Sequence, residues 1–212
     1  MRPVYGFDIE TDTTVNGLDP RVSRVTSVAV WSLTEKSCIA GEDERELLFE
    51  LARLVDRLPA GIMAGWNSAV FDLPFLATRA EALGVELPFT LVPDPAIVPK
   101  YDFTPPHTCG YRAYVGRHVH ADIAYAYRLY ASQFGVSWSL KPVARAFGGI
   151  EMIEVDRGRM QELSADELAA YNLSDARGTC LLARGLGDRL ADWLDSHRIR
   201  ELEEMRGSAL RV

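Results

Sequence analysis

The N-terminal part of the chain shows short apolar runs with strand-like alternation and one stretch with helical periodicity. Residues 3–10 and 22–32 are rich in β-branched and aromatic residues and are separated by a turn-prone segment, which predicts two antiparallel strands. A third strand is predicted around 37–41. Apolar residues recur at helical spacing over 43–58, which predicts an amphipathic helix, and the apolar run 62–66 predicts a buried strand.

The alternation of strands and helices continues toward the C-terminus with one interruption. Residues 71–83 predict a helix, and a strand followed by a helix twice over indicates an α/β sheet. A strand is predicted over 119–127 and a short helix over 139–147. A capping box begins the segment 164–194, which predicts a long helix, and the residues 197–212 form a charge-rich C-terminal tail.

The interruption is a long excursion at 85–117, which contains six of the eleven prolines. Core-like patterns flank the excursion on both sides, so we interpret it as a loop within one domain and not as a linker. With 212 residues, of which 48% are hydrophobic, the chain has the usual size of one globular domain, which we assign to residues 1–196.

Composition narrows the class of protein. Cys38, Cys109 and Cys180 match no zinc spacing and leave one thiol unpaired in any disulfide scheme, which favours a reducing compartment and predicts a cytoplasmic protein. The N-terminus lacks the apolar core of a secretory peptide, and no stretch approaches the ~20 apolar residues of a membrane span. The net charge of −7 disfavours a module that holds nucleic acid by bulk charge, but a metal-binding enzyme that contacts a short stretch stays compatible.

Two carboxylates in the first predicted strand are the strongest chemical signal. Asp8 and Glu10 are two residues apart, so the period of a strand directs both side chains to the same face. At ~4 Å and an effective dielectric near ~20, two such charges repel by about 4 kcal/mol. Unless they are protonated, they need a cation between them, and a divalent metal meets that need.

Two further segments carry polar residues that could join this pair. Tyr171 and Asp175 are four residues apart, which places them on one face of a helix, one turn apart. Asp72 lies near a predicted junction of strand and helix, where polar side chains often face a cleft. Taken alone, these residues have ordinary interpretations, namely a helix N-cap for Asp72 and neighbours in the core and on the surface for the other two.

The joint order of these residues resembles the DnaQ-like, or DEDD, 3′→5′ exonucleases. The segment Phe7-Asp8-Ile9-Glu10-Thr11 resembles the first family motif, Asn67-x3-Phe71-Asp72 the second, and Tyr171-x3-Asp175 the third. Within this family, the three motif sequences are most similar to those of the proofreading exonuclease domains of family B DNA polymerases. Tyrosine at position 171, with alanine before it, indicates the tyrosine, or DEDDy, branch of the family.

The resemblance implies a fold and an activity. The fold would be α/β and ribonuclease H-like, with a five-stranded mixed sheet and helices on both faces. The implied catalytic residues are Asp8, Glu10, Asp72, Tyr171 and Asp175. The four carboxylates would hold two Mg²⁺ or Mn²⁺ ions, with Asp8 as the bridging ligand, and the enzyme would release nucleoside 5′-monophosphates. Tyr171 would orient the attacking water, because a phenol is a weak base at neutral pH.

Six further residues are candidate contacts to nucleic acid: Thr11, Asn67, Phe71, Arg112, Arg117 and Lys141. Thr11 and Asn67 occupy motif positions that resemble contacts to the terminal nucleotides, although turn or cap chemistry explains them equally well. Aromatics and cations interleave over 111–117, as suits a single strand, but a hairpin whose tyrosines pack on the sheet fits equally. Lys141 would neutralise a phosphate, and a solvated lysine on a helix is the ordinary alternative.

Family B DNA polymerases carry a large catalytic region in addition to the exonuclease domain, and a chain of 212 residues is too short to contain it. We therefore expect a free-standing nuclease that acts in repair, in trimming of DNA ends or in RNA turnover. The expected substrate is single-stranded DNA or the 3′ end of duplex DNA, with a polymerase or repair protein as an optional partner in trans. An exoribonuclease of the same fold and a catalytically inactive interaction module are the alternatives.

Overall fold

Eight strands form one mixed sheet in the computed structural model, which describes residues 2–97, 105–190 and 210–211. The strands are β1 (Val4–Thr11), β2 (Val25–Trp31), β3 (Lys36–Ala40), β4 (Ile62–Gly65), β5 (Phe89–Asp94), β6 (Gly110–Val115), β7 (His118–Asp122) and β8 (Leu210–Arg211). Their order across the sheet is β3-β2-β1-β4-β7-β6-β5-β8. The expected number of five strands is therefore wrong, because seven lie before residue 123 and the two-residue β8 adds an eighth.

Two of the three additional strands, β5 and β6, come from the proline-rich excursion. β5 and β6 pair in antiparallel fashion, and β6 pairs with β7, so this segment extends the sheet. Proline cannot donate to a strand ladder, and Pro93 lies within β5, which explains why the sequence pattern did not predict a strand there. Residues 98–104 of the excursion lie outside the described residues.

Within the described residues, five α-helices accompany the sheet: α1 (Glu44–Arg57), α2 (Asp72–Leu83), α3 (Ile123–Gln133), α4 (Leu140–Val143) and α5 (Ala165–Gly185). A π-helical turn at Ala144–Gly148 continues α4, and a 3₁₀ helix at Arg157–Glu162 precedes α5. α1 and α2 pack on one face of the sheet, whereas α3, α4 and α5 pack on the other. In the described part of the chain, no helix has the length and apolarity needed to cross a membrane.

Two predicted element boundaries are wrong. The strand predicted over 119–127 ends at Asp122, because the Asp122 carboxylate accepts a hydrogen bond from the Ala124 N–H and caps α3. The long helix predicted over 164–194 begins with the expected capping box but ends at Gly185. Gly187 then adopts a left-handed conformation with φ of 53°, which ends the helix. Residues 191–194 and most of the tail at 197–212 lie outside the described residues.

Gly6 of β1 lies at a close approach between the sheet and α5. A Cβ atom at this position would lie 1.8 Å from the carbonyl oxygen of Ala176 on α5. Only glycine lets the two backbones meet at this distance. α5 therefore lies directly against the middle of β1, next to the strand positions that carry Asp8 and Glu10.

Candidate functional site

Asp8 and Glu10 share the face of β1 that α5 covers, as the strand period predicts. Val4 and Gly6 lie at even-numbered positions of β1, like the two acids, and both lie on the face of the sheet that α5 covers. Asp8 lies opposite Ala29 of β2, and Glu10 lies opposite Ser27. Both acids are partly exposed, so they lie at the rim of the sheet and not in its core.

α5 contributes Tyr171 and Asp175 to the same place, and both side chains are buried. Lys141, at the start of α4, joins them: its Nζ lies 3.7 Å from Asp175 Oδ1 and 4.1 Å from the centre of the Tyr171 ring. Only 14% of the Lys141 side chain is exposed, so it is not a solvated helix-surface lysine. A cation therefore lies among the predicted acids.

Asp72 reaches the site from the other face of the sheet. It is the first residue of α2, it is buried, and its Oδ1 accepts a hydrogen bond of 3.2 Å from the backbone N–H of Ile9. This bond ties the start of α2 to the strand segment between Asp8 and Glu10. The structure therefore brings all four predicted acids and Tyr171 to the same end of the sheet, the end at which β1 finishes.

The turn that leads to Asp72 is held by the end of β7. The carboxylate of Asp122 accepts hydrogen bonds from the backbone N–H groups of Asn67, at 3.0 Å, and Ala69, at 2.9 Å. Beside it, the Ser68 hydroxyl lies 2.8 Å from His120 Nε2. Asp122 and His120 thereby fix the connection between β4 and α2.

Burial and like charge dominate the electrostatics. Burial raises the pKa of Asp8 well above its usual range, and the carboxylates of Asp72, Asp175 and Glu10 raise it further, against the opposing charge of Lys141. Burial and the charge of Asp122 raise the pKa of Asp72 to about 8. Four carboxylates thus face one ammonium group, an imbalance that favours protons or additional cations.

The four carboxylates are chemically suited to a hard divalent cation, because Mg²⁺ and Mn²⁺ prefer carboxylate oxygens. As the side chains stand, no three His, Cys, Asp or Glu residues within 2–97, 105–190 and 210–211 form a metal-ligand cluster. Binding would therefore require these carboxylates to turn toward the ion. The charge around Asp8 gives that rearrangement a driving force.

The chain is similar to archaeal DNA polymerases over most of its length. It is 32% identical over 144 residues to DNA polymerase 1 of Aeropyrum pernix, an alignment that covers 65% of this chain and 13% of the polymerase. A solved structure of the family B DNA polymerase from Pyrobaculum calidifontis matches with a TM-score of 0.62 and 23% identity, over 88% of this chain and 24% of that chain. The predicted resemblance to family B DNA polymerases is confirmed.

This resemblance concerns a small part of each polymerase, since the chain spans well under two thirds of either relative. At 23% identity the solved family B polymerase shows the mixed α/β fold alone. No protein-family model matches the chain.

The candidate contacts from the polymerase-like motifs have protein partners. The Thr11 hydroxyl donates to the carbonyl of Gly17 at 2.7 Å, and Asn67 adopts a left-handed backbone with φ of 63°. The Phe71 ring packs against Phe75, with 5.4 Å between the ring centres. These three residues border the site and shape its turns.

The two arginines of the excursion lie in different places. Arg112 pairs with Asp94 on β5, and its position on β6 has the same parity across the sheet as Asp8. Arg117 lies in the turn before β7, where its Nη2 donates to the carbonyl of Asp56. β7 runs parallel to β4 and β1, so this turn lies at the end of the sheet opposite the acids. The structure does not bring Arg117 to the site.

Sequence reasoning missed Ser27, His120 and Asn172, and it placed Asp122 only in a strand that resembles one bordering the site. Ser27 and Asn172 lie 145 positions apart in the chain, yet their side chains are 2.7 Å apart. Asp122 carried a local signal, because an acid at the start of a helix is a common N-cap. The other three have partners that only the folded chain brings together.

Proposed function

We propose that this chain is a two-metal 3′→5′ exonuclease that removes nucleotides from the 3′ end of single-stranded or frayed DNA and releases nucleoside 5′-monophosphates. The observation that carries the proposal is the meeting of Asp8, Glu10, Asp72 and Asp175 with Tyr171 at the same end of the sheet. The similarity of the chain to DNA polymerases supports DNA as the polymer.

A ribonuclease H-like fold is part of this proposal. Five adjacent strands, β3-β2-β1-β4-β7, form a mixed sheet in which β2 alone runs antiparallel to the others, and helices cover both faces. This five-stranded central part of the larger, eight-stranded sheet supports a ribonuclease H-like fold. β6, β5 and β8 extend it at one edge.

The roles of the residues follow from their chemistry. Asp8, Glu10, Asp72 and Asp175 would hold the two divalent ions, which when bound supply an activated water and stabilise the leaving 3′ oxygen. Tyr171 orients the attacking water through its hydroxyl and does not abstract the proton. Lys141 contacts Asp175 in the free protein. When substrate binds, the lysine ammonium group would contact a phosphate in place of part of this contact and would neutralise the negative charge of the phosphate.

Contacts to the substrate are proposed at the residues that border this end of the sheet. Thr11, Asn67 and Phe71 lie on the turns next to the acids and would contact the terminal nucleotides. Arg112, on the same sheet face as Asp8, would contact the strand further from its 3′ end. For Arg117 the position beside Asp56 favours a structural role. A cytoplasmic location and a polymerase or repair partner remain predictions.

The test is a nuclease assay with 5′-labelled single-stranded, recessed and mismatched DNA and with RNA. We expect a ladder of products shortened by one nucleotide at a time with Mg²⁺ or Mn²⁺, and no ladder with a chelator. Asp8→Ala should abolish the ladder, because it removes the acid at the centre of the cluster. Glu50→Ala, which removes an exposed acid on α1 that pairs with Arg53, should keep full activity.

The substrate panel separates the alternatives. A ladder on RNA and none on DNA would replace the proposal by an exoribonuclease. Binding of DNA without a ladder under any metal would replace it by an inactive interaction module. Activity that survives both chelator and Asp8→Ala would contradict the two-metal site itself.

A further inference from the structure

Asn172 is a completely buried amide next to the candidate site. It follows Tyr171 on α5 and precedes Asp175 by three residues, and its side chain has no exposed surface. A buried amide has both a donor end and an acceptor end that need hydrogen-bond partners, since leaving either without one is costly. The partners of Asn172 therefore indicate what its side chain does.

One orientation of the amide satisfies both ends. In it the Asn172 oxygen accepts a hydrogen bond from the Ser27 hydroxyl at 2.7 Å. The Asn172 nitrogen then donates to Asp8 twice, to the main-chain carbonyl and to the carboxylate Oδ2, each at 3.2 Å. The hydrogen-bond network decides the orientation of an amide, so we assign this one.

We propose that Asn172 is a positioning residue that fixes the Asp8 carboxylate for binding of a divalent cation. The inference rests on the proposed function, because it assigns Asp8 as a metal ligand. Asn172 itself would not contact the ion, since its nitrogen is a donor directed at Asp8.

The charges around Asp8 explain why its carboxylate needs such a partner. The acids Glu10, Asp72 and Asp175 all act on Asp8, and their repulsion favours rotation of the side chain away from the others. A donor on Oδ2 holds the group in place and leaves the second oxygen available. Hydrogen bonds of this kind orient metal ligands, and their loss costs about 10- to 100-fold in metal affinity or activity.

Ser27 completes the arrangement from β2. It is completely buried and lies opposite Glu10 in the strand register. Its hydroxyl holds the oxygen end of the Asn172 amide, so the nitrogen end stays directed at Asp8. β2 and α5 thus jointly orient an acid on β1.

The experiment measures Mn²⁺ binding to the full chain by isothermal titration calorimetry, together with the Mn²⁺-induced rise in melting temperature. Asn172→Leu keeps the approximate size and removes the donor, and we expect Mn²⁺ affinity to fall about tenfold or more. Ser27→Ala leaves the Asn172 amide in place but removes the hydrogen bond to its oxygen end, so Mn²⁺ affinity should fall roughly threefold. The nuclease ladder of each variant should recover at higher Mn²⁺.

Thr179→Val is the matched control. Thr179 is a completely buried polar residue on the same helix, and its hydroxyl has no hydrogen-bond partner among the described residues. An isosteric apolar replacement there should leave Mn²⁺ affinity within about twofold of the original, because no hydrogen bond is lost. A structural defect of α5 would affect both variants, whereas loss of the Asp8 contact affects Asn172→Leu alone.

The outcomes separate the inference from the proposed function. If the unaltered chain neither binds Mn²⁺ nor degrades DNA, both fail. If it does both and Asn172→Leu binds Mn²⁺ equally well, the positioning role alone is overturned. If Asn172→Leu does not fold, Ser27→Ala decides: weaker binding supports the role, and unchanged binding overturns it.

Discussion

The two sides of the candidate site are held in place by different kinds of contact. On the β1–α5 side, the backbones of Gly6 and Ala176 touch, so the position of Asp175 depends on close packing. On the α2 side, Asp72 is placed by hydrogen bonds, from Ile9 to its own carboxylate and from the preceding turn to Asp122. Close packing admits no additional atom, whereas hydrogen bonds can be weakened one at a time.

The largest effect is expected from adding one methyl group on the packed side. In Gly6→Ala, the new Cβ would overlap the carbonyl of Ala176, and a backbone atom cannot move aside without shifting α5. We expect the free energy of unfolding to fall by about 3 kcal/mol, the upper end for overpacking, and nuclease activity to fall more than about 100-fold. Urea denaturation and the ladder assay measure the two effects.

Gly41→Ala is the control for that variant, because a Cβ at Gly41 would meet no atom within 4 Å. It should leave activity unchanged. Full activity in Gly6→Ala would show that the approach of α5 to β1 does not set the site.

The hydrogen-bonded side should lose less when one acceptor is removed. Asp122→Asn keeps the shape of the side chain but replaces one acceptor oxygen by a donor that faces backbone N–H groups. We expect a loss of about 1–3 kcal/mol in unfolding free energy and roughly tenfold in activity, because the turn before Asp72 loosens. Asp156→Asn, at the exposed cap of the 3₁₀ helix, should change neither by a comparable amount. Equal losses in both variants would contradict a specific role for Asp122.

The same contrast explains how much of the site could be predicted from sequence. The spacing of Asp8 with Glu10 and of Tyr171 with Asp175 is local, so strand and helix periods sufficed to place each pair on one face. Ser27 and Asn172 carry no local signal, because their contact joins residues 145 positions apart. The central strands were predicted for the same reason. Pro93 disfavoured a strand at β5, and the strand-like pattern over 119–127 continued past Asp122 into the first residues of α3.

The hydrogen-bonded side should also respond to pH through His120. Burial lowers the pKa of His120 to about 3, from an ordinary value of about 6.5, so the unfolded chain binds a proton more readily than the folded one. Stability is therefore lost as pH falls from about 6.5 toward about 3, by roughly 1.4 kcal/mol per pH unit. Between pH 7 and 5, His120 should cost about 2 kcal/mol.

His120→Gln should remove this contribution, so its unfolding free energy should fall less steeply with acid than that of the unaltered chain. Denaturant titrations at several pH values give the comparison. His107→Gln is a useful reference, because burial also lowers the pKa of His107, which lies away from Ser68 and bonds Thr78 and Tyr111. Parallel pH profiles for the unaltered chain and His120→Gln would contradict the assignment.

The smallest effect concerns the strand that leads to the site. In the sheet register, Tyr114 aligns through Val119 and Ile62 with Val4, so Arg112 lies level with Gly6. β6 is three strands from β1, which places Arg112 about 14 Å from Gly6 and further from Asp8 and Glu10, on the same face of the sheet. A strand whose 3′ end lies at Asp8 would reach Arg112 only by passing around the helices that bury Ala64 and Ala121 on this face, so the contact to its phosphate should be weak.

Arg112→Ala should therefore weaken binding of single-stranded DNA about threefold and reduce the salt dependence of binding by roughly 0.7 in the log–log slope, the value for one phosphate contact. Hydrolysis of a mononucleotide ester should stay unchanged, because that substrate ends at the acids. Arg117→Ala removes an equal charge at the opposite end of the sheet, so it should alter neither measurement. If both variants weakened binding equally, bulk charge and not the path of the strand would explain the contribution of Arg112.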